Sequence, residues 1–199
     1  MKIYLIDNYD SFTYNLVHLL REVGVADVAV HRNDVVDVAE VLASDALLVS
    51  PGPGVPKDAG KLMGVLEAVV GKMPVMGVCL GLQAIGEHFG GQLRNLNDVY
   101  HGVATPIEVL EEKGLFEGLG NEIEVGRYHS WVLDKETVPA ELVLTARDSE
   151  GEVMALRHRS LPIHALQFHP ESILTPSGAQ LMSNFIDLVR TEASKTTAS

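Results

Sequence analysis

The sequence predicts an α/β fold: a parallel sheet with helices on both faces, extended later in the chain by mixed or antiparallel strands. Three observations carry this. Up to His88, short apolar runs alternate with amphipathic stretches, and such a βαβα rhythm builds parallel sheets with helical crossovers. Beyond it the alternation ends, and strand-like segments follow one another through turn-rich pieces. The chain has 199 residues, 46% apolar and 21% charged, enough for one domain with a buried core.

The elements follow in order. Residues 2–6 (KIYLI) form a buried strand. From Ser11 to Val23, Phe12, Leu16, Leu19, Leu20 and Val23 keep helical spacing, and Gly24 is a natural stop. A strand at about 27–31, a weak helix at 35–43 and a strand at 46–50 (ALLVS) come next. A helix at about 60–70, the strand PVMGV at 74–78 and a helix from Leu80 to His88 complete the first half. Strands are expected at about 105–110, 122–127, 141–146, 152–158 and 163–167. Thr175-Pro176 reads as an N-cap followed by proline at the first helical position. The last helix runs to about Arg190, with Leu181, Met182, Phe185, Ile186 and Val189 inward. No repeat or linker interrupts the chain, so residues 1–190 read as one domain. The remainder, EASKTTAS within 191–199, offers almost nothing to bury and is expected to be disordered.

Composition excludes several classes. A net charge of -12 argues against a nucleic-acid partner, because phosphate binding needs a basic face. A single cysteine allows no intrachain disulfide. The first apolar run ends at Asp7, too short for a signal-peptide core, and no stretch approaches the roughly 20 apolar residues of a membrane helix. The expectation is a soluble cytoplasmic protein that binds no membrane.

The chemistry centres on Cys79. A lone cysteine is usually a small buried hydrophobe. This one follows a strand and precedes a helix in Gly77-Val78-Cys79-Leu80-Gly81, the thiol version of a nucleophile elbow. Small neighbours permit the tight turn, and the helix N-terminus favours thiolate and offers amides to an oxyanion. His169 ends the run ALQF within His169-Pro170-Glu171. Residues two apart in an extended segment share a side, so Glu171 can orient the imidazole and stabilise its cation. The loop Ser50-Pro51-Gly52-Pro53-Gly54 follows a strand. Its prolines remove amide donors, against a phosphate loop; a glycine amide could serve an oxyanion if this strand lies near Cys79. Metal binding is the main rival, but no C-x-x-C, H-E-x-x-H or paired-histidine spacing supports it.

Together these motifs resemble the class I (triad) glutamine amidotransferases. The segments DNYDSFTYN (7–15), RND (32–34), SPGPG (50–54), GVCLGLQAI (77–85), RYHS (127–130) and QFHPESILTPSG (167–178) carry the likeness. DNYDSFTYN is similar to the chorismate-using branch: the glutaminase subunit (component II) of anthranilate synthase, and the closely similar subunit of aminodeoxychorismate synthase. The resemblance implies a three-layer α/β/α sandwich around a mostly parallel, mixed sheet, flavodoxin-like. It implies Cys79, His169 and Glu171 as the triad, and Gly52, Pro53, Gly54, Gln83, Ser130 and Trp131 as glutamine contacts. Leu80 would supply an oxyanion amide. No metal or cofactor is implied in this chain; magnesium is expected in the partner, a chorismate-binding synthase subunit in a hetero-oligomer. Three positions depart from the family pattern: Leu82 in CLGLQ, where histidine is usual, Trp131 in RYHSW, and Val103 in the segment His101-Gly102-Val103. The readings from other classes are another cysteine hydrolase or peptidase, and a binding-only subunit without catalysis.

Overall fold

The computed structural model describes residues 1–96 and 99–197. The parallel part is built from β1 (Lys2–Asp7), β2 (Asp27–Arg32), β3 (Ala46–Val49) and β4 (Val75–Val78), joined through α1 (Thr13–Glu22), α2 (Val38–Leu42) and α3 (Leu62–Val69). α4 (Leu80–His88) follows β4 with only Cys79 between them. Then come β5 (Leu93–Asn95), β6 (Val103–Val109), β7 (Glu122–Arg127), β8 (Trp131–Leu133), β9 (Leu142–Arg147), β10 (Val153–His158), β11 (Ile163–Leu166) and α5 (Gly178–Thr197). The main sheet has nine strands in the order β2-β1-β3-β4-β11-β10-β9-β6-β7. β2 through β11 in that order are parallel, and the remaining strands join antiparallel.

Strand alternation divides the core in two. Ile3, Leu5, Leu48, Met76 and Val78 face one layer, with Leu16 and Leu20 of α1 and Leu181, Phe185 and Ile186 of α5. Tyr4, Ile6, Leu47, Val49 and Val75 face the other, with Leu62 and Leu66 of α3 and Leu82 and Ile85 of α4. This is the three-layer α/β/α sandwich. Leu82, one of the three departures, is a fully buried member of the second core.

Five details depart from the sequence expectations. Phe12 precedes α1 and packs on His169 rather than in the helix's apolar stripe. Thr175 does not cap α5: its hydroxyl donates to the His169 carbonyl (2.7 Å) and accepts from the Gly126 amide (2.9 Å), and the helix starts at Gly178. A two-stranded antiparallel ribbon, β5–β8, was not foreseen because each strand is only three residues long. β11 returns to the sheet centre beside β4, where the sequence suggested only an added strand. Finally, α5 continues through Thr197, past Arg190, where disorder was expected. Residues 191–195 are largely exposed, and local bonds such as Ser194 Oγ to the Arg190 carbonyl (3.0 Å) extend the helix without burial. Residues 198–199 of the expected tail lie outside the described residues.

Candidate active site

Three neighbouring parallel strands deliver three motifs to one sheet edge. β4 ends in Cys79; β3 on one side leads into Ser50–Gly54; β11 on the other leads into Gln167–Glu171. Ligand sites in such sheets form outside the carboxyl ends of the strands.

Cys79 has φ 53° and ψ -99°, a left-handed conformation rare for a residue with a side chain. Its amide donates to the Leu166 carbonyl at 2.7 Å, which ties the turn to β11. The flanking glycines are sterically required. A Cβ on Gly77 would lie 2.4 Å from the Gly81 carbonyl carbon, and one on Gly81 would lie 2.8 Å from the Val49 carbonyl oxygen. Cys79 is 6% exposed and heads α4, whose first amides lack intrahelical partners.

His169 Nδ1 lies 2.7 Å from Glu171 Oε1, and both side chains are buried. Burial opposes charge on the ring, but the hydrogen bonds and charges of Cys79 and Glu171 outweigh it and push His169 up to about 10. Glu171 takes Nδ1, which leaves Nε2 as the nitrogen for proton transfer. Phe12 and Tyr128 pack on the ring at centroid distances of 5.3 and 4.8 Å, and the Tyr128 hydroxyl meets Ser172 Oγ at 3.0 Å.

Two cavities meet at Gly52, Cys79 and Tyr128. One, of about 220 Å³, is lined also by Pro53, Gly54, Gln83, His129, Ser130 and Trp131. The other, of about 180 Å³, opens toward His169 past Asp10, Ser11, Phe12 and His101. The structure therefore gathers every sequence-nominated contact residue around Cys79. Leu80 is the exception in kind: its side chain is buried below Gly52, and its place as first residue of α4 makes its amide the relevant group. Gln83 donates to the Trp131 carbonyl at 2.9 Å, bracing the cavity wall.

Behind that wall, Arg127 pairs with Asp148 at 2.9 Å, both buried, and lies 3.6 Å from the Tyr100 ring centroid. Burial first, then the Arg127 and His169 charges, push His129 down to about 3, so the cavity is walled by a neutral imidazole. Sequence reasoning missed Phe12 as a site residue, together with Tyr128, His129 and Gln167. RYHS carries part of the family likeness, but nothing local assigns roles to its aromatic members. For Gln167 a signal existed: it stands two residues before His169, directly after β11.

A strained thiol at a strand-to-helix turn, facing a histidine–carboxylate pair across a shared cavity, defines an α/β protein built for nucleophilic attack by sulfur. The chain belongs to the class I glutamine amidotransferase family, whose model matches residues 4–188. It is 45% identical to aminodeoxychorismate/anthranilate synthase component 2 of Bacillus subtilis, covering 96% of this chain and 98% of the relative. Anthranilate synthase component 2 of Pseudomonas aeruginosa is 45% identical over 92% of this chain and 93% of its own. Aminodeoxychorismate synthase component 2 of Escherichia coli is 44% identical over 92% and 98%. A crystal structure from Thermoplasma acidophilum, provisionally described as one subunit of GMP synthase, superposes with a TM-score of 0.86 at 29% identity, covering 99% of this chain and 98% of that one.

Proposed function

We propose that this chain is the glutaminase subunit of anthranilate synthase, releasing ammonia from glutamine and passing it to a chorismate-using synthase subunit. The observation that carries the reading is Cys79, strained at the head of α4 and sharing a cavity with Gly52 and with His169, whose ring is paired to the buried Glu171. The Cys79 thiolate attacks the side-chain amide carbon, and amides near Gly52 and Leu80 receive the oxyanion. The His169 imidazolium gives its Nε2 proton to the departing nitrogen, so ammonia leaves and a γ-glutamyl thioester remains. The neutral ring then takes a proton from water, hydroxide adds to the thioester, and glutamate departs as the thiolate reforms. Glutamine lies against Gly52–Gly54, Gln83, Ser130 and Trp131. No step uses a metal of this chain; magnesium serves the partner.

A second reading keeps the chemistry and changes the product: the glutaminase of aminodeoxychorismate synthase, or one subunit serving both. The relatives' names support it, since one carries both activities and another the second alone. The proposal includes a cytoplasmic location, in keeping with the absence, among the described residues, of any helix long and apolar enough to cross a membrane. Reconstitution with each candidate synthase subunit, identifying the aromatic product from chorismate and glutamine, tests the assignment. Anthranilate is expected; aminodeoxychorismate alone overturns the first reading. Cys79→Ala is expected to abolish glutamate release with fold and partner binding intact, and retained glutamate release refutes the nucleophile.

A further inference from the structure

We propose that Gln167 is a catalytic residue: its side-chain amide donates to Cys79 Sγ and stabilises the attacking thiolate, held in that orientation by Gln83. The proposal rests on the reading of Cys79 as the nucleophile. Gln167 follows β11 directly and is fully buried. Its backbone amide is already satisfied by the Met154 carbonyl at 2.9 Å, so the side chain is not needed to complete the strand. β11 ends at Leu166, and the bend at residues 167–168 turns the Gln167 side chain onto Cys79 Sγ just ahead of the turn that pairs His169 with Glu171.

The polarity of the contact follows from a chain of amides. It starts at the Trp131 carbonyl, which can only accept. Gln83 Nε2 must therefore point there, and does at 2.9 Å. The same Nε2 lies 3.4 Å from Gln167 Oε1, which fixes the oxygen of Gln167 toward Gln83. Gln167 Nε2 is left facing Cys79 Sγ at 3.6 Å. Turning the Gln167 amide over would set two donors against each other and an oxygen lone pair against the sulfur. A thiol is a weak acceptor and a thiolate a strong one, so a donor locked on sulfur selects the charged form. A space-filling role for Gln167 needs no such polarity. The chain of amides also ties the nucleophile to Trp131, a wall of the glutamine cavity.

Cys79 is the only cysteine, so iodoacetamide reports its reactivity alone in the intact protein. Gln167→Met keeps shape and removes the donor. The expected result is an alkylation–pH profile moved upward by about one pH unit, the effect of one charge-assisted hydrogen bond. The plateau rate should rise about threefold, because a more basic thiolate is a better nucleophile. Gln83→Met, which unlocks Gln167, should move the profile the same way by less. An unmoved profile in Gln167→Met overturns the proposal; if that variant does not fold, an unmoved profile in Gln83→Met does so. Glutamate release that survives Cys79→Ala sinks the underlying nucleophile reading instead, so the two failures are distinguishable.

Discussion

Gly52→Ala is the sharpest perturbation of the oxyanion loop, because the obstruction is steric and its size can be read directly. Gly52 is outside the left-handed region, so alanine meets no backbone penalty there. Its new Cβ would lie 2.5 Å from Asn8 Cβ, 2.7 Å from Leu80 Cδ2 and 3.0 Å from the Asn8 carbonyl oxygen. Carbon atoms pack at about 3.5–4.0 Å, so the shortfall is about 1 Å. The Leu80 methyl can turn aside. Asn8 cannot, because its Nδ2 donates to the Ser50 carbonyl at 2.9 Å and its Oδ1 accepts from Asn33 at 3.1 Å. The loop must retreat by about 1 Å, and displacement of that size in a catalytic array costs about 100-fold in rate. Complete loss of the donor costs up to about 1000-fold. The assay is glutamate release by the reconstituted enzyme, with iodoacetamide alkylation of Cys79 run in parallel. Alkylation forms no oxyanion and should be unchanged while kcat falls. Gly64→Ala in α3, where the new Cβ meets nothing within 4 Å beyond the local helix backbone, is the control and should keep kcat. Wild-type kcat in Gly52→Ala, or parallel loss of alkylation, refutes the reasoning.

Three further perturbations test the electrostatics. Glu171→Gln removes the carboxylate that helps hold His169 up to about 10, so the alkaline limb of the activity profile should move toward neutrality; an unmoved limb contradicts the assigned role. His129 and His164, pushed down to about 3 and about 4 chiefly by burial, refuse protons that the unfolded chain binds below pH 6.5. Stability should therefore fall as pH falls from 6.5 toward 4, by up to about 1.4 kcal/mol per unit for each histidine. His169 acts oppositely, its contribution present below 6.5 and lost as pH rises through about 10. Urea titrations across this range, repeated on His129→Gln and His164→Gln, should show a shallower acid limb in each variant. Asp148→Asn leaves Arg127 buried without its counter-ion and should cost about 3–5 kcal/mol in the same titration at pH 7; a cost below about 1 kcal/mol refutes the dependence.

Much of the site was legible because its chemistry is local. The elbow around Cys79 and the His169–Glu171 pair each rest on short-range geometry: two glycines in one case, and in the other a turn closed by the Ser172 amide on the His169 carbonyl at 3.2 Å, where the sequence suggested an extended segment. The joining of these segments was not legible. It depends on β11 inserting beside β4, a long-range pairing that no local period encodes. Thr175 misleads for a related reason: its position favours a cap, but its hydroxyl is taken by the His169 carbonyl and the Gly126 amide. Phe12 keeps helical spacing and lies just before the helix, so periodicity alone assigns its ring to the core.

DNYD and RND govern the site largely through the backbone they hold, and Asp10 also lines the cavity beside His169. Asp7 accepts from the Asp10 amide and the Thr13 hydroxyl, at 3.2 and 2.8 Å, while Asp10 accepts from the Phe12 amide at 2.8 Å. These bonds hold the turn that lays Phe12 on His169. Tyr9, at φ 61°, sits under the Arg32 guanidinium, 4.8 Å from its ring centroid, and Asn33 donates to Asn8. Asn8 in turn grips the loop rather than the reacting atoms: its amide nitrogen donates to Ser50 Oγ at 2.9 Å and its side chain to the Ser50 carbonyl. The two motifs are therefore one brace, with Gly52 as the glycine that fits beneath it and Phe12 as the ring it delivers. Residues of this kind set the backbone on which Gly52 and His169 meet Cys79.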